Sequence, residues 1–326
     1  MITPRLPHAR GLGRCLAVVA VIIAVWVTTL GASEVNVYAK PGALPALSVS
    51  TLAARYKANR RAIGQALRTA RRVHDDDRIH ALGGLLVPGR RFLSFDPRGT
   101  GQAVEVLGDL RHAERVAILV PGADTTLSTF DSRPQRPYST PGGGARALMA
   151  QARDIKPDPD LAVIAWLGYN PPAVTSAGVM TDLRADTGAA RLRRLVDDVH
   201  GLDPSADLTL LCHSYGSVVC GEALKGLPVD NVAAFGSPGM QASNVGALDT
   251  RAGVWAARGS RDWMQFVPHV RVLGLGFGTD PVSPAFGAHV FAAGPVGHSD
   301  YLRPGSLSLR NLALIVLGRG SQVTLA

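Results

Sequence analysis

Residues 208–222 read LTLLCHSYGSVVCGE, and the reading of this stretch decides the fold. Its first five residues are an apolar run of β type, Ser214 lies in a sharp turn, and a helix follows from Gly216. Strand, turn and helix in immediate succession make a nucleophile elbow. The serine there adopts a strained backbone that lifts its hydroxyl out of the sheet, so its neighbours must be small. Gly216 provides that room on the helix side, whereas Cys212 stands where the GxSxG pattern has its first glycine.

Outward from the elbow, short apolar runs bounded by turn residues recur at 116–120, 161–167, 232–235, 254–257 and 290–293. Runs of this kind are strands buried on both faces. The helical stretches 185–200 and 216–224 serve as crossovers between them, and a closing helix is predicted at 306–317. The pattern predicts an α/β fold, a mostly parallel central sheet with helices on both faces. Residues 91–95 and 102–107, separated by the turn-rich 96–101, open it as an antiparallel hairpin. Before them, 46–81 is arginine-rich, with Leu52, Tyr56, Ile63, Leu67 and Val73 at helical spacing. This is a helical hairpin or cap whose basic face lies in water or rests on membrane phosphates. The domain organisation expected is therefore 1–33 as signal peptide or membrane anchor, 34–90 as a basic helical N-terminal extension and 91–326 as the catalytic domain.

An elbow at the end of a parallel sheet takes its partners in the order serine, acid, histidine. Ser214, Asp262 and His298 follow that order, with Asp262 just beyond the run at 254–257 and His298 just beyond that at 290–293. The histidine would accept the serine proton as general base, and the acid would fix its tautomer and stabilise the imidazolium. Asp280 and Asp300 compete for the acid's place but fit the chain order less well. His213 reads as a packed neighbour of the nucleophile, and His269 and His289 as surface or structural residues. For an oxyanion hole, one backbone amide comes from Tyr215, after the nucleophile. The other comes from the loop after the run at 116–120, where Ala123 is preferred over Gly122. Tyr169, Asn170 and Pro171, followed by Pro172, sit beyond the carboxyl end of a strand. They are the expected substrate-binding residues.

The 326 residues carry a formal charge of +9, supplied almost wholly by arginine. No zinc-finger spacing, aromatic-interleaved basic stripe, HExxH motif or nucleotide cradle is present, so nucleic acid, metal and cofactor are not expected. Arg5, Arg10 and Arg14 precede an apolar run at 16–30, the form of an export signal. The residues after the run favour a retained anchor over a cleaved signal, placing the protein in the membrane or outside the cell. Cys15 lacks a lipid-attachment context. Cys212 and Cys220 are too few for a disulfide framework and are expected as small buried hydrophobes, although export makes a bridge between them feasible.

The segments VLGDLRHAERVAILVPGADTT, VIAWLGYNPP, LTLLCHSYGSVV, VAAFGSPGM, GTDPVSPAFGAHVF and GHSDYLRPGS, in this order, resemble the DUF1023 α/β-hydrolase family of actinobacteria over about 92–318. The resemblance implies an α/β-hydrolase fold with Ser214 as nucleophile and supports His298. That family shows GHSYGS, so Cys212 is the departure. The function it leads us to expect is hydrolysis of a carboxylic ester, of a small molecule or envelope lipid, with contact to a membrane surface. Acyl transfer would use the same triad, and product analysis with an alcohol acceptor would separate the two. A rival of another class is a membrane-tethered binding protein on an inactive hydrolase scaffold.

Overall fold

The computed structural model describes residues 36–131, 133, 135–173, 183–267, 269, 271–272 and 275–326; the predicted signal or anchor at 1–33 lies outside them. Strands β1 (Arg91–Asp96), β2 (Gln102–Leu107), β3 (Arg115–Val120), β4 (Leu161–Leu167), β5 (Asp207–His213), β6 (Asn231–Phe235) and β7 (Gly253–Ala257) form most of one sheet. A two-residue hairpin follows, β8 (Arg271–Val272) with β9 (Leu275–Gly276), and then β10 (His289–Val290). The eight-stranded sheet has the order β1-β2-β4-β3-β5-β6-β7-β10. Strands β4 to β10 in that order are parallel, and β1 and β2 join as the antiparallel hairpin expected from their turn.

β4, the inner residues of β3 and the centre of β5 are buried throughout, as parallel strands covered on both faces must be. Helices α1 (Leu52–Arg72), α2 (Asp76–Leu85), α3 (Pro141–Ile155) and α6 (Leu307–Val316) contribute to one core layer. Helices α4 (Leu183–His200) and α5 (Gly216–Ala223) contribute to the other. Their starts are fixed locally: the side chains of Asp75, Thr140 and Ser306 accept hydrogen bonds from the first-turn amides of α2, α3 and α6.

The basic N-terminal segment packs on the body. Ile63, Ala66 and Leu67 of α1 enter the core, and the Asn59 amide donates to the Phe92 carbonyl at 2.8 Å, while Arg60, Arg61, Arg68, Arg71 and Arg72 face solvent. Among the described residues, no helix is long and apolar enough to cross a membrane. The last strand is shorter than the run at 290–293 suggests. Phe291 still donates its amide to the Ala256 carbonyl of β7 at 2.9 Å, but it and Ala292 also pair with the C-terminal segment, Phe291 bridging Leu325 and the Ala292 amide donating to the Thr324 carbonyl.

The elbow depends on a close approach. A Cβ on Gly216 would lie 2.5 Å from the Val120 carbonyl oxygen and 2.7 Å from that of Pro121. Both contacts are to backbone, which cannot swing aside. Gly216→Ala is therefore expected to lower stability by about 1–3 kcal/mol through overpacking, measured as a reduced urea midpoint with unchanged slope.

Candidate active site

Ser214 follows β5 with φ at +53°, in the left-handed region that a residue with a Cβ seldom occupies. Its amide donates to the Phe235 carbonyl of β6 at 3.0 Å, and α5 begins two residues later, so strand and helix together hold the strained turn. The flanking cysteines correct an expectation. Cys212 and Cys220 are not separate thiols; they are bonded to each other, with Cα atoms 6.4 Å apart. The sharp elbow folds α5 back along β5, which brings the strand end and the second turn of the helix face to face. Where the motif has a small glycine, this chain has a cross-link spanning the elbow.

The three side chains predicted from chain order meet at the carboxyl edge of the sheet. His298 Nε2 is 2.9 Å from Ser214 Oγ, and its Nδ1 is 2.9 Å and 3.1 Å from the two carboxylate oxygens of Asp262. Asp262 is completely buried, and each of its remaining acceptor sites is used: Oδ1 accepts the Met264 amide at 2.9 Å and Oδ2 the Tyr301 hydroxyl at 2.6 Å. Burial pushes the Asp262 carboxyl up, but the hydrogen bond and charge of His298, with the bonds from Tyr301 and Met264, outweigh it and hold the group below the usual carboxylate range. The rival acids are engaged elsewhere. Asp300 accepts the Tyr138 hydroxyl at 2.9 Å, and Asp280 pairs with Arg258 at 2.5 Å.

Beside these three side chains, Tyr301 was not singled out by sequence, and His213, read as a packed neighbour of Ser214, also positions His298. Tyr301 receives the Gly259 amide at 2.9 Å while donating to Asp262, so it ties the acid to the loop leaving β7. Only its place three residues after His298 hints at this. His213 donates from Nε2 to the backbone carbonyl of His298 at 2.7 Å and stacks on Phe235, positioning the histidine from behind. Burial first, and then the neighbouring His298, depress the His213 imidazole from its ordinary 6.5 to about 3. Between those values the unfolded chain binds a proton that the folded chain refuses, so stability falls as pH is lowered through this window. His213→Gln is expected to flatten the dependence of unfolding free energy on pH between about pH 6.5 and about pH 3, by up to about 1.4 kcal/mol per pH unit. Urea titrations at several pH values would measure it; an unchanged slope would refute the assignment.

The loop after β3 presses on Ser214, since a Cβ on Gly122 would come within 2.7 Å of Ser214 Cβ. The Asp124 amide turns away to donate to the Pro172 carbonyl at 3.0 Å, which leaves Gly122 and Ala123 as this loop's candidates for the oxyanion hole, opposite the Tyr215 amide that opens α5.

A cavity of about 460 Å³ opens over Ser214 and His298. Its walls include Leu119, Tyr138, Trp263, Val267, Phe277 and Leu302. The expected substrate residues Tyr169, Asn170 and Pro171 are not among them, which is a second correction. Tyr169 is buried against Trp166, with its hydroxyl donated to the Pro121 carbonyl at 2.7 Å, and Asn170 accepts from Thr100 and Gln102. Pro171 is buried beside them. These residues support the 121–124 loop from behind. The walls come instead from Leu119 and the loop after β3, from Arg133 and Tyr138, from the Trp263–Val267 segment, and from Phe277 and Leu302.

Comparison with known proteins adds to this geometry. A family model described as alpha/beta hydrolase matches residues 96–272, more than half of the chain and including Ser214 and Asp262. The chain belongs to the alpha/beta hydrolase family. Among relatives of this alpha/beta hydrolase, the uncharacterized protein Rv2079 of Mycobacterium tuberculosis is 30% identical over 267 residues, covering 70% of this chain and 39% of that protein. The uncharacterized protein Mb0988c of Mycobacterium bovis is 34% identical over 164 residues, 48% of this chain and 59% of that one. The chain thus spans less than two thirds of the length of these relatives. Similar solved structures include esterase PE8, at TM-score 0.41 and 16% identity over 64% of this chain and 95% of that one. Another is an α/β serine hydrolase without a lid from Xanthomonas campestris, at TM-score 0.40 and 15% identity over 71% and 95%.

Proposed function

We propose that this alpha/beta hydrolase cleaves carboxylic esters through an acyl-serine intermediate, with Ser214, His298 and Asp262 as its catalytic residues. One observation carries the reading: a single imidazole bridges the hydroxyl of Ser214 and the buried carboxylate of Asp262. The Asp262 carboxylate accepts a hydrogen bond from Nδ1–H of His298, which keeps the proton on Nδ1 and leaves Nε2 unprotonated and aimed at Ser214. As Ser214 Oγ attacks the carbonyl carbon, its proton passes to Nε2, and negative charge gathers on the carbonyl oxygen. Amides of Tyr215 and of Ala123 or Gly122 would receive that charge. The imidazolium returns its proton to the departing alkoxide, releasing the alcohol. Water then attacks the acyl-serine with His298 again as base, yielding the free acid.

The largely apolar walls of the cavity suit a hydrocarbon acyl or alkyl group, and its volume lies in the range of small-molecule sites. The narrower kinship with the DUF1023 group, carried by the CHSYG and GHSDY segments, belongs to the same proposal. A fluorophosphonate probe tests the reading. Intact chain should be labelled and Ser214→Ala should not; folded chain that stays unlabelled would instead favour a binding protein on a hydrolase scaffold. Nitrophenyl esters of increasing acyl length should then map the cavity through kcat/KM.

A further inference from the structure

The turn of residues 263–266 has two unlike sides. Met264, with Val267 just beyond it, walls the cavity over Ser214. On the outer side Phe266 is 80% exposed, the highest value for a large apolar side chain among the described residues, and Trp263 is 47% exposed. Trp263 belongs to both sides: it walls the cavity, and its ring lies 4.7 Å from that of His298. A lone aromatic on a surface needs no explanation, but here exposed aromatic surface is continuous with the apolar mouth of the site.

Arginines adjoin this turn and the cavity mouth beside it. Exposed Arg261 immediately precedes the acid loop, Arg133 stands in the cavity wall, and exposed Arg136 and Arg303 lie on the neighbouring loops. Of the carboxylates nearby, Asp262 is fully buried at the head of the turn and bonded to His298, Tyr301 and Met264. The others are Asp124, on the loop that receives the Arg133 guanidinium, and Asp300, held by the Tyr138 hydroxyl and approached by Arg136 at 3.7 Å. Aromatic side chains that enter the acyl boundary, beside arginines that meet headgroup phosphates, are what an anionic lipid–water interface recognises.

We propose that the Trp263–Phe266 turn docks on an anionic phospholipid surface, and that the ester reaches Ser214 directly from that surface. The second half of this statement rests on the esterase reading; the docking itself does not. Delivery from the surface would spare an apolar acyl chain passage through water before it enters the cavity.

The test uses the full chain and keeps the two halves separate. In Phe266→Trp, the emission gained over wild type should be quenched by brominated lipid in phosphatidylglycerol vesicles, and several-fold less in phosphatidylcholine vesicles. Phe266 lies outside the cavity wall. Phe266→Asp should therefore keep kcat/KM on soluble nitrophenyl butyrate within about twofold, yet lose about tenfold on a long-chain nitrophenyl ester dissolved in anionic vesicles. Absence of quenching would overturn the docking, and equal quenching in neutral vesicles would overturn its anionic character. An equal loss on both esters would place the effect in the pocket and reject delivery from the surface. Sedimentation showing that Phe266→Asp dissolves a dimer, with no quenching by vesicles, would assign the patch to a second copy instead. If wild type turns over no ester, the esterase reading fails, while the quenching still decides the docking.

Discussion

Ser214→Ala is expected to lower ester turnover by about 10⁶-fold, or about 8 kcal/mol of transition-state stabilisation, with the fold unchanged. The loss is this large because no other group can take the serine's place. Among the described side chains, the only hydrogen bond to its hydroxyl is the one at 2.9 Å with His298 Nε2, and removing it strands the base without a nucleophile. The other supports of the elbow survive: the Ser214 amide still donates to the Phe235 carbonyl, and the Cys212–Cys220 bond still ties β5 to α5. Alanine inherits the left-handed φ of +53°, so the substitution neither relieves nor adds much backbone strain. Unfolding free energy should stay within about 1 kcal/mol of wild type. Burst kinetics on a nitrophenyl ester, which count acyl-enzyme formed per chain, would check the role. A variant retaining more than about 1% of wild-type turnover would remove Ser214 from the mechanism.

The second large effect is expected at Asp262. Asp262→Asn should reduce kcat by about 10⁴-fold, or about 5 kcal/mol, and should also lower stability, which Ser214→Ala should not. The carboxylate accepts from three donors, His298 Nδ1, the Tyr301 hydroxyl and the Met264 amide, in a place without solvent. An asparagine there has one acceptor oxygen and an amine that must face a donor. The arrangement avoids that clash by moving the His298 proton to Nε2, the atom that has to accept from Ser214. The stability penalty should be about 1–3 kcal/mol, the cost of a buried donor left without a partner. Measuring kcat beside thermal unfolding separates the two effects. Full activity in Asp262→Asn would mean that another group orients the histidine. Tyr301→Phe, which removes one donor and keeps the carboxylate, should cost far less activity.

The three side chains that the structure brings together could be picked from the chain because each stands just beyond an apolar run. The CHSYG turn sits between an apolar run and a helix, and the acid and histidine each follow the next suitable strand. The cavity walls were not readable. Tyr169 and Asn170 occupy a strand's carboxyl end, which sequence reasoning favours. Their side chains bond to Pro121, Thr100 and Gln102, because β4 and its loop lie behind the nucleophile loop and not over it. The residues that do form the walls, from Tyr138 to Phe277 to Leu302, share no motif and come together only through loop packing. Tyr301 and His213 were missed as positioning residues for the same reason: each acts through one hydrogen bond to a residue far along the chain.

The sequence by itself determined the α/β pattern of apolar runs and crossover helices, the elbow at Ser214 and the three side chains that could form a triad. Burial periodicity and turn chemistry are written residue by residue and need no distant partner. Only the tertiary structure decided that Cys212 and Cys220 are joined, which loops enclose the cavity, and that the acid's full set of partners includes a tyrosine. Those facts depend on distances of a few ångströms between segments whose relative placement is set by packing of the whole sheet and its helices.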